Sequence, residues 1–174
     1  MKRLGSDFFL REATEVAPQL IGKLLCRKTD GEIVKLRIVE TECYYGEQDT
    51  ACHAHRGRTK RTAIMYEPGG RAYIYLCYGI HALLNVVTGP EDFPQAVLIR
   101  GVLGAIGPGR VTKKLDIDCT QNGLDFASSD ILWLEDDGAP PCYETARRVG
   151  IDYAAKADRD RLWRFVAPPE CYGL

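Results

Sequence analysis

"IVKLRIVETECYY", Ile33 to Tyr45, is the stretch on which the architecture turns. Val34, Leu36 and Ile38 alternate with Lys35 and Arg37, which is the two-residue period of a half-buried strand. If the strand runs on, Glu40, Glu42 and Tyr44 continue its inward face. A carboxylate there must be neutral, paired or turned toward a pocket, because burying a bare charge is costly. The segment from Glu40 to Gly57 crowds two tyrosines, two cysteines and two histidines together with almost no aliphatic residue among them. Neither a plain core segment nor a solvated loop has that composition.

Outward from this strand, the chain reads as a series of hairpins. "LCRKTDGEIV" predicts a turn around Asp30-Gly31. Before it, "EATEVAPQLIGKLL" reads as a helix, with Val16, Leu20 and Leu24 four apart and Pro18 tolerable only near the first turn. After it, "RAYIYLCYGIHALLNVV" places Tyr73, Tyr75 and Cys77 on one face and Ile74, Leu76 and Tyr78 on the other. Gly79 interrupts the run, so Tyr78 to His81 should form the tip of a second hairpin. Tyr78 and Ile80 are then large apolar groups on a protruding turn, and such groups usually have a partner. "QAVLIRGV" predicts a buried strand with one charge, Arg100, and "VTKKL" a short basic helix. "DILWLE" and "LWRFVA" read as late strands, with "YETARRVGI" as a helix between them. No repeat, low-complexity run or linker divides residues 1–174, so a single domain is expected.

The composition agrees. The 174 residues are 45% apolar and 27% charged, as in an ordinary globular domain. A chain of this length buries about 70% of its unfolded surface. No apolar stretch reaches the length of a membrane span. The N-terminal "MKRLGSDFFLREATEV" has no apolar run behind its basic residues, so no signal peptide is expected and the chain is placed inside the cell. The seven cysteines form no C-x-x-C pair, and reduced structural thiols are the expectation over a disulfide or zinc framework.

Net charge is −1, yet it is unevenly spread. Arg56, Arg58, Lys60, Arg61 and Arg71 crowd one stretch, whereas residues 116–144 carry eight acids and no Lys or Arg. A local basic face can hold phosphates on a neutral protein, or both stretches are simply solvated.

Several residues could carry chemistry. Glu42, beside aromatic rings, could be a general base with a raised pKa, or a structural carboxylate bonded to a backbone amide or to Arg100. Cys52, His53 and His55 could begin a metal site, but no further ligands stand out; a pocket hydrogen bond for His53 and a surface position for His55 are the alternatives. Six of the nine tyrosines fall between Tyr44 and Tyr78, beside the basic stretch. That mixture suits base stacking with phosphate contact, although tyrosines also favour strands as such. Phosphate-loop, dinucleotide and hydrolase-elbow motifs do not occur.

The block from Arg37 to Arg100, "RIVETECYYGEQDTACHAHRGRTKRTAIMYEPGGRAYIYLCYGIHALLNVVTGPEDFPQAVLIR", resembles the central block of the alkyladenine (3-methyladenine) DNA glycosylases. "RLGSDFF", "IGKLL", "GPGR", "NGLDF", "ARRVGI" and "WRF" extend the likeness over most of the chain. The resemblance implies an α+β fold: one domain with a bent, largely antiparallel sheet flanked by helices and a protruding hairpin. It implies a monofunctional glycosylase that flips a damaged purine out of double-stranded DNA and releases it with a Glu-activated water, without metal or other cofactor, as a monomer.

Residue by residue, Glu42 matches the general base and Arg100 the arginine that helps hold the water. A backbone carbonyl near Val166 or Ala167 would complete that water's site. Tyr44 matches the ring on one face of the flipped base, with His53 and Tyr75 on the other. Asn85 matches the group that crowds a purine's exocyclic amine. Tyr78, with Ile80 beside it, matches the wedge that enters the minor groove, and Arg56, Arg58 and Arg61 are the expected phosphate contacts. Alkylated and deaminated purines are the implied lesions, among them 3-methyladenine, 7-methylguanine, hypoxanthine and ethenoadenine.

The chain departs from the family pattern at three places. "GVLGAI" replaces a longer segment after Arg100, the sequence stops soon after "WRFV", and Lys60 stands where proline is common. These bear on DNA-contact area, affinity and lesion range rather than on the base pocket. The alternatives are a catalytically weak damaged-DNA-binding module of the same fold and a small-molecule hydrolase using Glu42 and His53.

Overall fold

The computed structural model describes residues 1–173. In chain order the elements are β1 (Lys2–Arg3), α1 (Ser6–Phe9), α2 (Ala13–Leu20), β2 (Leu24–Thr29), β3 (Glu32–Tyr45), β4 (Ala72–Cys77), β5 (His81–Val87), β6 (Gln95–Val102), β7 (Ala105–Ile106), α3 (Pro108–Lys114), β8 (Leu132–Asp136), β9 (Glu144–Ala146), α4 (Lys156–Arg159) and β10 (Arg164–Val166). Short 3₁₀ turns lie at His53–Arg56, Ala63–Tyr66 and Cys119–Gln121. The fold is α+β, a single domain.

The strands form one antiparallel sheet in the order β1-β8-β2-β3-β6-β5-β4. The 14-residue β3 is its hinge. Its first half pairs with β2, and from Ile38 onward its opposite edge pairs with β6. Beyond β2's reach, Glu40, Thr41 and Glu42 take β10 as partner, and β10 carries β9. One strand thus serves two differently directed halves, which bends the sheet. The β3–β6 register shifts on either side of Glu40, and the ladder passes from Gly101 to Ile99 without pairing Arg100. Such a bulge re-aims side chains at the point where pairing slips.

The core lies between the sheet and the helices. Val16, Ala17 and Leu20 of α2 pack with Ile38, Cys43 and Ile99 of the sheet, and Val111 of α3 joins the same cluster. Asp30 and Gly31 both have positive φ, 50° and 86°, as a type I′ turn between β2 and β3 requires. At the tip of the β4–β5 hairpin the Ile80 amide donates to Cys77 O at 3.2 Å. Tyr78 and Gly79, between them, have φ of 52° and 72°, again the type I′ geometry. The turn is therefore Cys77 to Ile80, and His81 already pairs with Cys77 in the strand.

Four sequence expectations are corrected. Val34 is exposed, because the free end of the β2–β3 hairpin extends past the core. The second helix stops at Leu20, and Leu24 opens β2 instead; Pro18 lies inside the last turn, and Gly22, with φ of 88°, turns the chain away. "YETARRVGI" is not a helix: Glu144–Ala146 is a strand drawn onto β10, and a loop follows. Cys142 and Cys171, with Cα atoms 6.2 Å apart, are disulfide-bonded; the other five cysteines are free.

The acidic stretch is a solvated face paired with bases from elsewhere in the chain. Glu135 meets Lys35, Asp136 meets Lys23 and Asp137 meets Arg37. Among the described residues no helix is long and apolar enough to cross a membrane.

Candidate active site

A cavity of about 510 Å³ opens at the foot of the β4–β5 hairpin. Tyr44, His53, Tyr75, Asn85 and Arg100 all line it. Their positions follow from strand pairing. Tyr73 and Asn85 are cross-strand partners, Asn85 pairs in turn with Leu98, and Leu98 pairs with Glu42. Alternate residues of four adjacent strands therefore converge on one face.

Glu42 sits behind this wall rather than in it. Its side chain is fully buried. Tyr44 Oη donates to Oε2 at 2.8 Å, and the Val149 amide donates to Oε1 at 2.8 Å. Arg100 Nε lies 3.6 Å from Oε1. Burial raises the carboxyl above its ordinary pKa; Arg100, the Val149 amide and Tyr44 oppose that rise, and nearby Glu40 adds to it. Two donors leave each oxygen a free lone-pair site, so the group can still accept a proton.

Glu40 is the other buried carboxylate on this face. Its Oε1 accepts from Arg100 Nε at 2.9 Å and from Arg164 Nε at 2.6 Å.

The aromatic side of the cavity is tightly organised. His53 Nδ1 and Tyr73 Oη are 2.9 Å apart, and the His53 ring stands edge-on to Tyr75 at 4.6 Å between centroids. Burial and, secondarily, Arg61 lower the His53 pKa to about 4, so the ring is neutral at physiological pH. Asn85 Nδ2 donates to Tyr73 O at 3.1 Å. Burial pushes the Tyr44 and Tyr75 hydroxyls up, so neither ionises near neutrality.

The hairpin tip stands clear of the body. Tyr78 is 93% exposed and Ile80 72%. Arg56 and Arg58 are exposed beside the 3₁₀ turn that carries His53. Arg58 reaches Asp92 at 3.3 Å and lies over the Tyr66 ring. Arg61 stands apart from them: its guanidinium covers the Tyr75 ring at 4.8 Å and lines the cavity. His55 faces outward, with Nδ1 2.7 Å from Glu47 O. Among the described residues no three His, Cys, Asp or Glu side chains come together as a metal site.

A second wall went unnoticed in the sequence. The loop from Arg148 to Asp158 is stapled onto Asp49–Ala51. Arg148 makes a two-pronged ion pair with Asp49, Tyr153 Oη donates to Ala51 O at 2.9 Å, and the Thr50 amide donates to Asp158 at 3.0 Å. Arg148 also lies 4.9 Å from the Tyr44 ring centre. Val149, Ile151 and Tyr153 line the cavity, Tyr153 with 69% of its surface open. Adjacent arginines before a glycine, and a lone acid inside an aromatic cluster, were the available signals. The 99-residue separation of Asp49 and Arg148 hid their pairing.

Comparisons with known proteins identify the family. The family model for methylpurine-DNA glycosylase matches residues 7–105 and 103–170. Its two stretches meet in the Leu103–Gly104 turn between β6 and β7. A Psychrobacter cryohalolentis protein named "Putative 3-methyladenine DNA glycosylase" is 43% identical, over 92% of this chain and 89% of its own length. One of the same name from Borreliella burgdorferi is 45% identical over 91% and 92%. A third, from Desulfitobacterium hafniense, is 39% identical over 99% and 98%. The chain belongs to the methylpurine-DNA glycosylase family.

Proposed function

We propose that the protein is a monofunctional DNA glycosylase that excises alkylated and deaminated purines from duplex DNA. The observation that carries this reading is a buried carboxylate, Glu42, set directly behind an aromatic cavity at the base of a hairpin with a bare tyrosine tip. In this reading Tyr78 enters the helix stack and fills the gap of the flipped nucleotide, and Ile80 packs beside it. Arg56 and Arg58 hold neighbouring phosphates. Arg61 does so once it leaves the Tyr75 face.

The flipped base stacks between Tyr44 and the Tyr75–His53 pair. Unstacking costs a few kcal/mol, least for a damaged base, and stacking returns about 1–3 kcal/mol per base. Neutral His53 adds no charge against a cationic purine. Asn85 sits where a purine's exocyclic amine would crowd it. Glu42 takes a proton from a water as that water's oxygen bonds to the sugar's anomeric carbon. The glycosidic electron pair leaves with the base. A purine alkylated on a ring nitrogen already carries the positive charge that makes it a good leaving group. No lysine lines the cavity among the described residues. Water as the nucleophile gives an abasic site and an uncut strand.

The test is release of free base from methylated duplex DNA, comparing wild type with Glu42→Gln. Release by wild type that the variant lacks, with lesion binding kept, supports the reading. A second reading, a damaged-DNA-binding module with weak turnover, is favoured by the two-residue turn at Leu103–Gly104, where the family model divides. Wild-type binding to lesion duplexes without base release would establish it instead.

A further inference from the structure

The Glu40 carboxylate has no part in the chemistry proposed above, yet it is among the most constrained groups in the molecule. It is almost wholly buried. A single oxygen, Oε1, receives two guanidinium Nε donors, from Arg100 on β6 and Arg164 on β10. The bulge places it there. Glu40 lies between the two register shifts of the β3–β6 ladder, opposite Gly101, and Arg100 is the unpaired residue that the ladder skips next to it. Arg164 is the cross-strand partner of Glu42 itself. Arg100 Nε is 2.9 Å from Glu40 Oε1 but 3.6 Å from Glu42 Oε1. The cation beside Glu42 is thus bound more closely to a different carboxylate.

We propose that Glu40 is a positioning residue that draws Arg100 away from Glu42, keeping the Glu42 carboxylate basic and holding Arg100 at the cavity wall. The inference rests on Glu42 as the general base. Its logic is electrostatic. A carboxylate paired closely with arginine becomes a weaker base, because the cation stabilises its charged form. A neighbouring like charge acts the other way. Glu40 does both: it competes for Arg100, and it places a negative charge beside Glu42. The groups facing Glu42 are Glu40 and Tyr44 on its own strand, Arg100 on β6, Arg164 on β10, and the Val149 amide of the loop after β9. Arg148 and Tyr153 lie just beyond.

The two charges around Glu40 predict shifts of opposite sign. Glu40→Gln keeps an oxygen for both arginines but removes the charge, so Arg100 turns to Glu42. Single-turnover base release should then hold to lower pH, its acid limb moving down by about one unit. The plateau should fall roughly 3–10-fold, because a weaker base transfers the proton less well. Arg164→Gln leaves Glu40 less neutralised, and its acid limb should move up.

The experiment is the pH–rate profile of the wild type, Glu40→Gln, Arg164→Gln and Glu42→Gln on a duplex with one lesion, with melting curves for each. Opposite limb shifts support the proposal. A Glu40→Gln profile lowered at every pH with its limb unmoved assigns Glu40 a structural role and overturns it, as does an unchanged profile. If Glu40→Gln does not fold, Arg164→Gln decides alone: an upward limb supports the proposal, an unmoved limb overturns it. If Glu42→Gln releases base as fast as wild type, the general-base reading fails, independently of Glu40.

Discussion

Arg148 and Asp49, 99 residues apart in sequence, face each other fully buried, with Nη1 2.6 Å from Oδ2 and Nη2 2.9 Å from Oδ1. Nη1 also donates to Cys43 O and Nη2 to Asp158 O, while the buried Nε has no partner among the described residues. Asp49 also accepts from the amides of Tyr45 and Ala51. This pair ties the two walls of the cavity together.

Removing one partner strands a buried charge, which costs about 3–5 kcal/mol. Asp49→Asn should therefore lower the unfolding free energy from urea titrations by that amount and release the Arg148–Asp158 loop. Amide exchange of residues 148–155 is the local check: protection there should fall further than in β2 or β8.

For Glu42→Gln, loss of the general base should slow base release by roughly 10²–10⁴. Stability should move the other way. A carboxyl whose folded pKa is raised loses stabilisation as pH rises through that pKa. Without that penalty, Glu42→Gln should melt at or above wild type at pH 8, and retain lesion binding. A variant that is slow only because it is unfolded would melt lower.

Tyr78 holds a left-handed backbone conformation that bulky residues avoid. Tyr78→Asn places Asn-Gly in the turn, the preferred type I′ pair. It should raise stability by about 1 kcal/mol while weakening affinity for lesion duplexes and slowing excision. A gain in melting temperature together with a loss of excision is the signature of strain kept for contact.

His53 sets an acid sensitivity of stability. Its folded pKa of about 4 lies below the ordinary 6.5, so the unfolded chain binds the extra proton between those values. Stability is then lost as pH falls from 6.5 toward 4, on the order of 2 kcal/mol, less than the full shift because the ring is partly open to solvent. His53→Gln should flatten that part of the stability-against-pH curve in denaturant titrations.

Much of the frame was legible because strands and tight turns write themselves locally. The strand through Ile33–Tyr45, the Asp30-Gly31 turn and the Gly79 break each depend on a few adjacent residues. That Glu42, Tyr44, Tyr75 and Asn85 belong to one pocket was implied by the resemblance to the glycosylase block, and the strand pairing seen in the fold accounts for it. What failed was non-local. Glu144–Ala146 carries no strong strand preference and becomes a strand because β10 offers it an edge. The Val149 amide that caps Glu42 is a backbone donor, invisible in side-chain chemistry. Arg61 reads as one more surface cation until the fold brings it over Tyr75.

The Leu103–Gly104 turn has a use beyond the native reaction. Its flanking residues, Val102 and Ala105, are already paired, so the two chain ends at this point are held together by the sheet. Lengthening a closed loop costs only about 0.6 kcal/mol per doubling. The turn is therefore a graft port: a peptide, a dye-bearing segment or a small folded insert could be spliced there while the β-ladder keeps its registration. That would permit reach along a bound polymer to be engineered separately from the cavity, which is lined by Arg100 earlier on β6.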